Sequence, residues 1–79
     1  MASTMDRVKK VTAELLKVDI AKVTENARFV EDLGAESIQS IELVASFEEE
    51  FDIEMDEDEA LSVKTVKNAA DFIDKVLKG

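Results

Sequence analysis

The sequence of 79 residues contains neither cysteine nor histidine. The first absence excludes disulfide staples, thiolate metal sites and a thiol nucleophile. The second removes the side chain that most often acts as a general base near neutral pH and as a transition-metal ligand. Proline is missing too, and glycine occurs only at Gly34 and Gly79, so one internal helix breaker remains. Positive charge is scarce, with 10 Lys and Arg against 19 Asp and Glu and a formal net charge of −9. That balance argues against nucleic acid or anionic lipid as a partner. No apolar run approaches the ~20 residues that a bilayer-crossing helix needs, so no membrane span is expected. Residues 1–10 mix Asp6, Arg7, Lys9 and Lys10 with scattered apolar positions, unlike the apolar core of a secretory signal. A cytoplasmic protein, or one of an organelle matrix, is the expectation. A chain this short buries only about 60% of its unfolded surface, which leaves little material for an enclosed active site.

What is present is helical periodicity. Val8, Val11, Leu15 and Val18 are separated by three, four and three residues, with Leu16 beside them. With Ser3 or Thr4 as a cap and Asp6 near the positive end, a first helix is predicted over 4–17. Residues 19–34 hold no sustained period, yet Phe29, Val30 and Leu33 are too apolar for a free linker. They predict a long loop packed back on the core, and loops of that length are usually functional. A second helix is predicted over 37–51, with Ser40, Val44, Phe47 and Phe51 as its stripe and Leu43 at the edge. A short acidic turn of helix follows over 55–62. The last helix opens after Thr65 and carries Val66, Ala69, Ala70, Ile73, Val76 and Leu77 on one face, with Lys75 and Lys78 in its final turn. The fold class is therefore all-α: a small four-helix bundle of three longer amphipathic helices and one short acidic helix, forming a single free-standing domain over 1–79.

Charge is unevenly placed. Thirteen of the 19 acids lie from Glu31 to Glu59, where no Lys or Arg occurs. Such segregation costs stability through self-repulsion, and attraction of a basic partner would account for it as well as simple solvation does. On the second helix, Ile38, Glu42, Ala45 and Glu49 fall on the side roughly opposite the apolar stripe, with Ile41 between. Together with Glu36 and Glu48 they form a candidate docking patch, apolar at its centre and acidic at its rim. A monomer that meets other proteins through this face is the simplest expectation.

The acids do not form a calcium loop. Counting from Asp52, the sixth position is Glu57 where glycine is required, and the twelfth is Val63 where a bidentate carboxylate is required. Counting from Asp56 puts Ala60 at the fifth position. No metal site is assigned. Catalysis fares no better: Ser37, Ser40, Ser46 and Ser62 have no histidine to activate them, and no Ser-x-x-Lys occurs. No catalytic residue is assigned, and the protein is not expected to be an enzyme.

The most informative stretch runs from Asp32 to Val44. Ser37 follows Gly34 by three residues at a predicted helix start, where serine often serves as an N-cap. A tight turn at Gly34 would instead expose its hydroxyl at the positive end of the helix, where an attached anion is stabilised. At these residues the sequence resembles the acyl carrier protein family. Val8-Lys-Lys-Val11, Phe29-Val-Glu-Asp-Leu-Gly-Ala35, Ile41-Glu-Leu-Val44, Phe47-Glu-Glu-Glu-Phe-Asp52 and Thr65-Val66 occur in the family's order across nearly the whole chain. The resemblance implies that Ser37 receives 4′-phosphopantetheine covalently from coenzyme A through a phosphopantetheinyl transferase. The arm's thiol would carry acyl groups as thioesters for enzymes of fatty acid, polyketide or a specialised acyl pathway. Acyl-transferring and condensing enzymes with basic patches would dock on the acidic second helix. The resemblance further implies shelter for the acyl chain between helices two and three, with Phe51, Ile53, Leu61 and Val63 as candidate lining. The family usually has Asp-Ser-Leu and then an acid, where this chain has Glu36-Ser37-Ile38-Gln39; its usual Ile-Pro is Met55-Asp56 here. These departures fit a specialised member. The alternative is an unmodified acidic helical module that binds a basic protein partner.

Overall fold

The computed structural model describes residues 3–78, with Met1, Ala2 and Gly79 of the expected 1–79 domain lying outside it. Helix α1 (Thr4–Leu16) opens at Ser3, whose Oγ accepts the Asp6 N–H at 3.1 Å while Asp6 Oδ2 accepts the Ser3 N–H at 3.4 Å. This reciprocal pair satisfies two donors that a helix start leaves free. Lys17 closes the helix in a left-handed conformation (φ 56°) and returns its N–H to the Ala13 carbonyl. The buried face differs from the expected stripe. Val8, Thr12 and Ala13 are buried, whereas Val11, Leu15, Leu16 and Val18 are half-buried at its margins. Helix α1 is flanked by two other helices, and the small Thr12 and Ala13 sit in its most buried arc. Thr12 Oγ1 is fully enclosed and has no hydrogen-bond partner among the described residues.

The loop after α1 does fold back on the core. It includes a short 3-10 helix at Ile20–Lys22, capped by Asp19 Oδ1, which accepts the Ala21 N–H at 2.9 Å. Its far end is sewn to the strand-like segment before the last helix. Phe29 N–H donates to Lys64 O at 3.0 Å, Val66 N–H to Ala27 O at 3.0 Å, and Lys67 N–H to Glu25 O at 2.9 Å. Arg28 and Thr65 form an isolated antiparallel bridge. Val23, Ala27, Phe29 and Ala35 are buried by this arrangement.

Helix α2 (Ser37–Phe51) buries Leu43, Phe47 and Phe51. Leu43 thus sits at the centre of the buried face rather than its edge, and Ser40 and Val44 are half-buried beside it. Helix α3 (Glu57–Leu61) is a single acidic turn begun by Asp56, whose Oδ1 accepts the Glu59 N–H at 3.2 Å. A capping aspartate therefore stands where the family's usual proline would start the helix. Helix α4 (Val66–Lys78) is capped by Thr65 Oγ1, which accepts the Asn68 N–H at 3.1 Å. It buries Val66, Ala69, Ala70 and Ile73, while Val76 is half-buried and Leu77 is exposed, off the expected face.

The helices assemble around α1, which packs on both α2 and α4, while α3 packs on α2. Val8, Val66 and Ile73 are fully buried, each contributing about 1.5–3 kcal/mol relative to exposure. Two polar ties bind α1 to its neighbours. Thr4 Oγ1 donates to Asp74 Oδ1 at 2.5 Å. Arg7 donates from Nε to Glu50 Oε2 at 2.9 Å and from Nη2 to the Glu50 carbonyl at 2.5 Å, while its guanidinium lies 4.2 Å above the Phe51 ring. It thereby satisfies a carbonyl that the end of α2 leaves without an intrahelical donor.

Candidate attachment site

Residues 28–35 form a closed turn that aims the start of α2. The N–H groups of Asp32 and Leu33 both reach Arg28 O at 3.0 Å, Gly34 N–H reaches Val30 O at 3.1 Å, and Ala35 N–H reaches Phe29 O at 2.8 Å. Gly34 has φ +73°, a conformation that glycine enters without a Cβ penalty, although a Cβ there would meet open space. The Asp32 carboxylate accepts the Arg28 backbone N–H at 2.8 Å and Arg28 Nε at 3.1 Å, and Arg28 Nη1 lies 2.6 Å from Glu31 Oε2. The hydrogen bond from the Arg28 side chain, then that from its backbone N–H, holds the Asp32 carboxyl below the ordinary carboxylate range. Asp32 in turn raises the Arg28 guanidinium, first by that hydrogen bond and then by its charge. The two acids that precede the helix are therefore answered by a cation before α2 begins.

Ser37 is not the cap. Glu36 occupies the N-cap position with extended backbone (φ −84°, ψ 166°), and its N–H donates to Gln39 Oε1 at 2.9 Å. Ser40 Oγ donates to Glu36 O at 3.4 Å. Neither bond at this helix start engages Ser37 Oγ, and Ser37 stands exposed as the first helical residue. Gln39, which replaces the family's usual acid, is thus part of the cap. The other serines are differently placed. Ser3 Oγ caps α1, Ser62 Oγ donates to Glu59 O at 2.6 Å, and Ser40 and Ser46 are half-buried. A phosphodiester on Ser37 would meet the first-turn N–H groups of α2 and the positive end of its dipole. These residues fit such a group.

One turn further along the same face of α2 lies an apolar cavity of ≈ 220 Å³. Ser40, Leu43, Val44 and Phe47 of α2 line it, with Met55, Ala60, Leu61 and Val63 around α3, Ala69 of α4, and Arg28 to Glu31 and Lys64. Of the four expected lining residues, Leu61 and Val63 are there. Phe51 is not: it is buried in the core beneath Arg7, and Ile53 packs half-buried against the core. The loop contribution is invisible to helical periodicity because the Arg28–Thr65 bridge brings it in from a distance. Phe29 and Phe47 join the two walls, with ring centroids 6.5 Å apart.

On the outer side of α2, Ile38 is 64% exposed and Ile41 54%, and Glu36, Glu42, Ala45 and Glu49 are exposed with them. Glu48 differs: it is half-buried, and its Oε2 accepts the Met55 N–H at 3.0 Å, bracing the chain between α2 and α3. Among the described residues, no group of acids is gathered closely enough to hold a metal ion, and no helix is long and apolar enough to cross a membrane.

A four-helix bundle that opens its second helix with an exposed serine, beside a partly open cavity lined by helices and loop, has the form of an acyl carrier domain. The chain belongs to the family described as phosphopantetheine attachment site, whose model matches residues 6–73. Members of this family hold 4′-phosphopantetheine covalently.

Proposed function

We propose that Ser37 is the attachment residue and that the protein carries acyl groups as thioesters on the arm fixed there. The observation that carries this reading is an exposed Ser37 hydroxyl at the N-terminus of α2, in a chain matched by the family over residues 6–73. In the modification, Ser37 Oγ forms a phosphodiester with the pantetheine phosphate of coenzyme A. The pyrophosphate bond of the coenzyme breaks, adenosine bisphosphate leaves, and the transferase takes up the hydroxyl proton. The arm supplies the thiol that a chain without cysteine lacks. The chain's own residues present the hydroxyl, neutralise nearby acids through Arg28, and offer an apolar cavity to the cargo.

Partner enzymes of fatty acid, polyketide or a specialised acyl pathway would meet Ile38, Ile41 and Ala45, steered by Glu36, Glu42 and Glu49 toward a basic surface. Glu48, engaged with Met55, contributes charge rather than a free side chain. The protein is a non-catalytic cytoplasmic monomer in this account.

Incubation with coenzyme A and a phosphopantetheinyl transferase is expected to add the prosthetic mass to the wild type and nothing to Ser37→Ala. No gain with several transferases that modify another carrier would reject the assignment. The alternative, an unmodified module whose exposed Ile38 and Ile41 bind a basic partner, predicts partner binding and biological activity unchanged in Ser37→Ala.

A further inference from the structure

The start of α2 runs against local preference. Serine, aspartate and asparagine are the favoured N-cap residues, and glutamate is not among them. Ser37 would therefore cap better than Glu36, yet the helix begins with Glu36 as its cap. Resting on the carrier reading of Ser37, we propose that Gln39 decides this register. It is a positioning residue that keeps the Ser37 hydroxyl off the cap and so available to the transferase.

The two registers compete for one proton. With Glu36 as the cap, Ser40 N–H donates to Glu36 O at 3.0 Å. With Ser37 as the cap, the same N–H would donate to Ser37 Oγ. That bond would occupy a lone pair of Oγ and turn it over the helix end, among the N–H groups that an attached phosphodiester would meet. To attack the pantetheine phosphorus of coenzyme A, Oγ must point outward with that lone pair free.

Upstream, the buried Ala35 is fixed by its N–H on Phe29 O at 2.8 Å, so the choice of register falls on Glu36 and Ser37. Two side chains favour Glu36. Gln39 Oε1 accepts the Glu36 N–H at 2.9 Å, with Glu36 extended (φ −84°, ψ 166°). Ser40 Oγ adds a longer bond to Glu36 O at 3.4 Å. The pairing of Glu36 with Gln39 then has a reason. Where the family usually has aspartate, a strong cap by itself, this chain has a weaker one that depends on the residue three places on.

The test measures transfer from coenzyme A to the apo-protein by a phosphopantetheinyl transferase, beside the Ser37 Cα and Cβ chemical shifts of the same unmodified proteins. The wild type is expected to show helical shifts at Ser37. Gln39→Ala should move them toward extended values and lower kcat/KM by roughly threefold or more, since only the fraction in the first register reacts. Gln39→Glu, whose carboxylate can accept the same N–H, should keep both near wild type. Adding Glu36→Asp to Gln39→Ala should restore both, and raise kcat/KM by more than the same change does in the wild type. Unmoved shifts in Gln39→Ala overturn the register control, whether or not kcat/KM falls; a fall alone makes Gln39 a transferase contact. Wild-type kcat/KM despite moved shifts overturns the role in attachment. A wild type that accepts no arm overturns the attachment reading instead, and the shifts still decide the register.

Discussion

The two sides of α2 are built differently. Toward α1 and α4 the bundle is close-packed and cross-tied: Val8, Val66 and Ile73 are fully buried, and Arg7 and Thr4 reach across to Glu50 and Asp74. Toward α3 and the 28–35 turn, a cavity replaces packed side chains, α3 spans one turn, and Ile38, Ile41 and Leu61 face water. Charge does not follow that division: the acids from Glu31 to Glu59 run without an interleaved base, yet Glu50 pairs with Arg7 on the packed side, and Arg28 and Lys64 stand at the cavity. A chain of 79 residues cannot make every face rigid. Here one seam holds the fold together, and the other is left hollow and more exposed.

The sharpest way to break this contrast is truncation on each side. Ile73→Ala should cost roughly 3–4 kcal/mol in urea denaturation, because a fully buried isoleucine leaves a cavity behind. Leu61→Ala, on the open side, should cost less than ~1 kcal/mol. Equal losses would erase the distinction. Next in size is Arg7→Ala, which removes an ion pair, a bond to a helix-end carbonyl and stacking on Phe51, and should cost about 1–2 kcal/mol. Arg7→Lys should restore less than half of that, since an ammonium cannot fork between two acceptors while sitting over a ring.

Thr12→Val sharpens the comparison in the other direction. The threonine hydroxyl is buried without a partner among the described residues, so a methyl of similar shape should raise stability by about 1 kcal/mol. A loss instead would mean that an internal water satisfies Oγ1.

The smallest effect belongs to the turn before α2. The Arg28 hydrogen bonds hold the Asp32 carboxyl below its ordinary value of 3.8. A carboxyl depressed in the folded state adds stability above its unfolded value, and that stability is lost as pH falls through the folded value. In acid titrations followed by circular dichroism, Asp32→Asn should therefore give a slightly shallower decline from just below pH 4. An unchanged acid limb would leave the Arg28–Asp32 pair without energetic weight.

Much of this plan was legible in the residues themselves. Helix spacing placed α1, α2 and α4 within a residue or so, because amphipathic stripes and the caps at Ser3 and Thr65 are local signals. The buried arc of α1 was displaced. Apolar counting favours Val11 and Leu15, while contact with two neighbours selects the small Thr12 and Ala13. Leu43 was moved to the centre of α2 by the same cause. The Ser37 position was readable as a helix start, but its freedom from capping was not, because Glu36 and Gln39 take that role through their own geometry. The cavity was the least legible feature. Its outer wall comes from Arg28 to Glu31 and Lys64, joined by backbone bonds between segments more than thirty residues apart, and no periodicity encodes such a meeting.

The central claim is tested most directly on protein purified from its native cells. Trypsin should release residues 29–64 as one peptide, since no Lys or Arg interrupts it, and that peptide holds Ser37, Ser40, Ser46 and Ser62. Fragmentation is expected to place phosphopantetheine, free or acylated, on Ser37 alone. An unmodified peptide in cells that modify their other carriers, or an arm on one of the other three serines, would contradict the account.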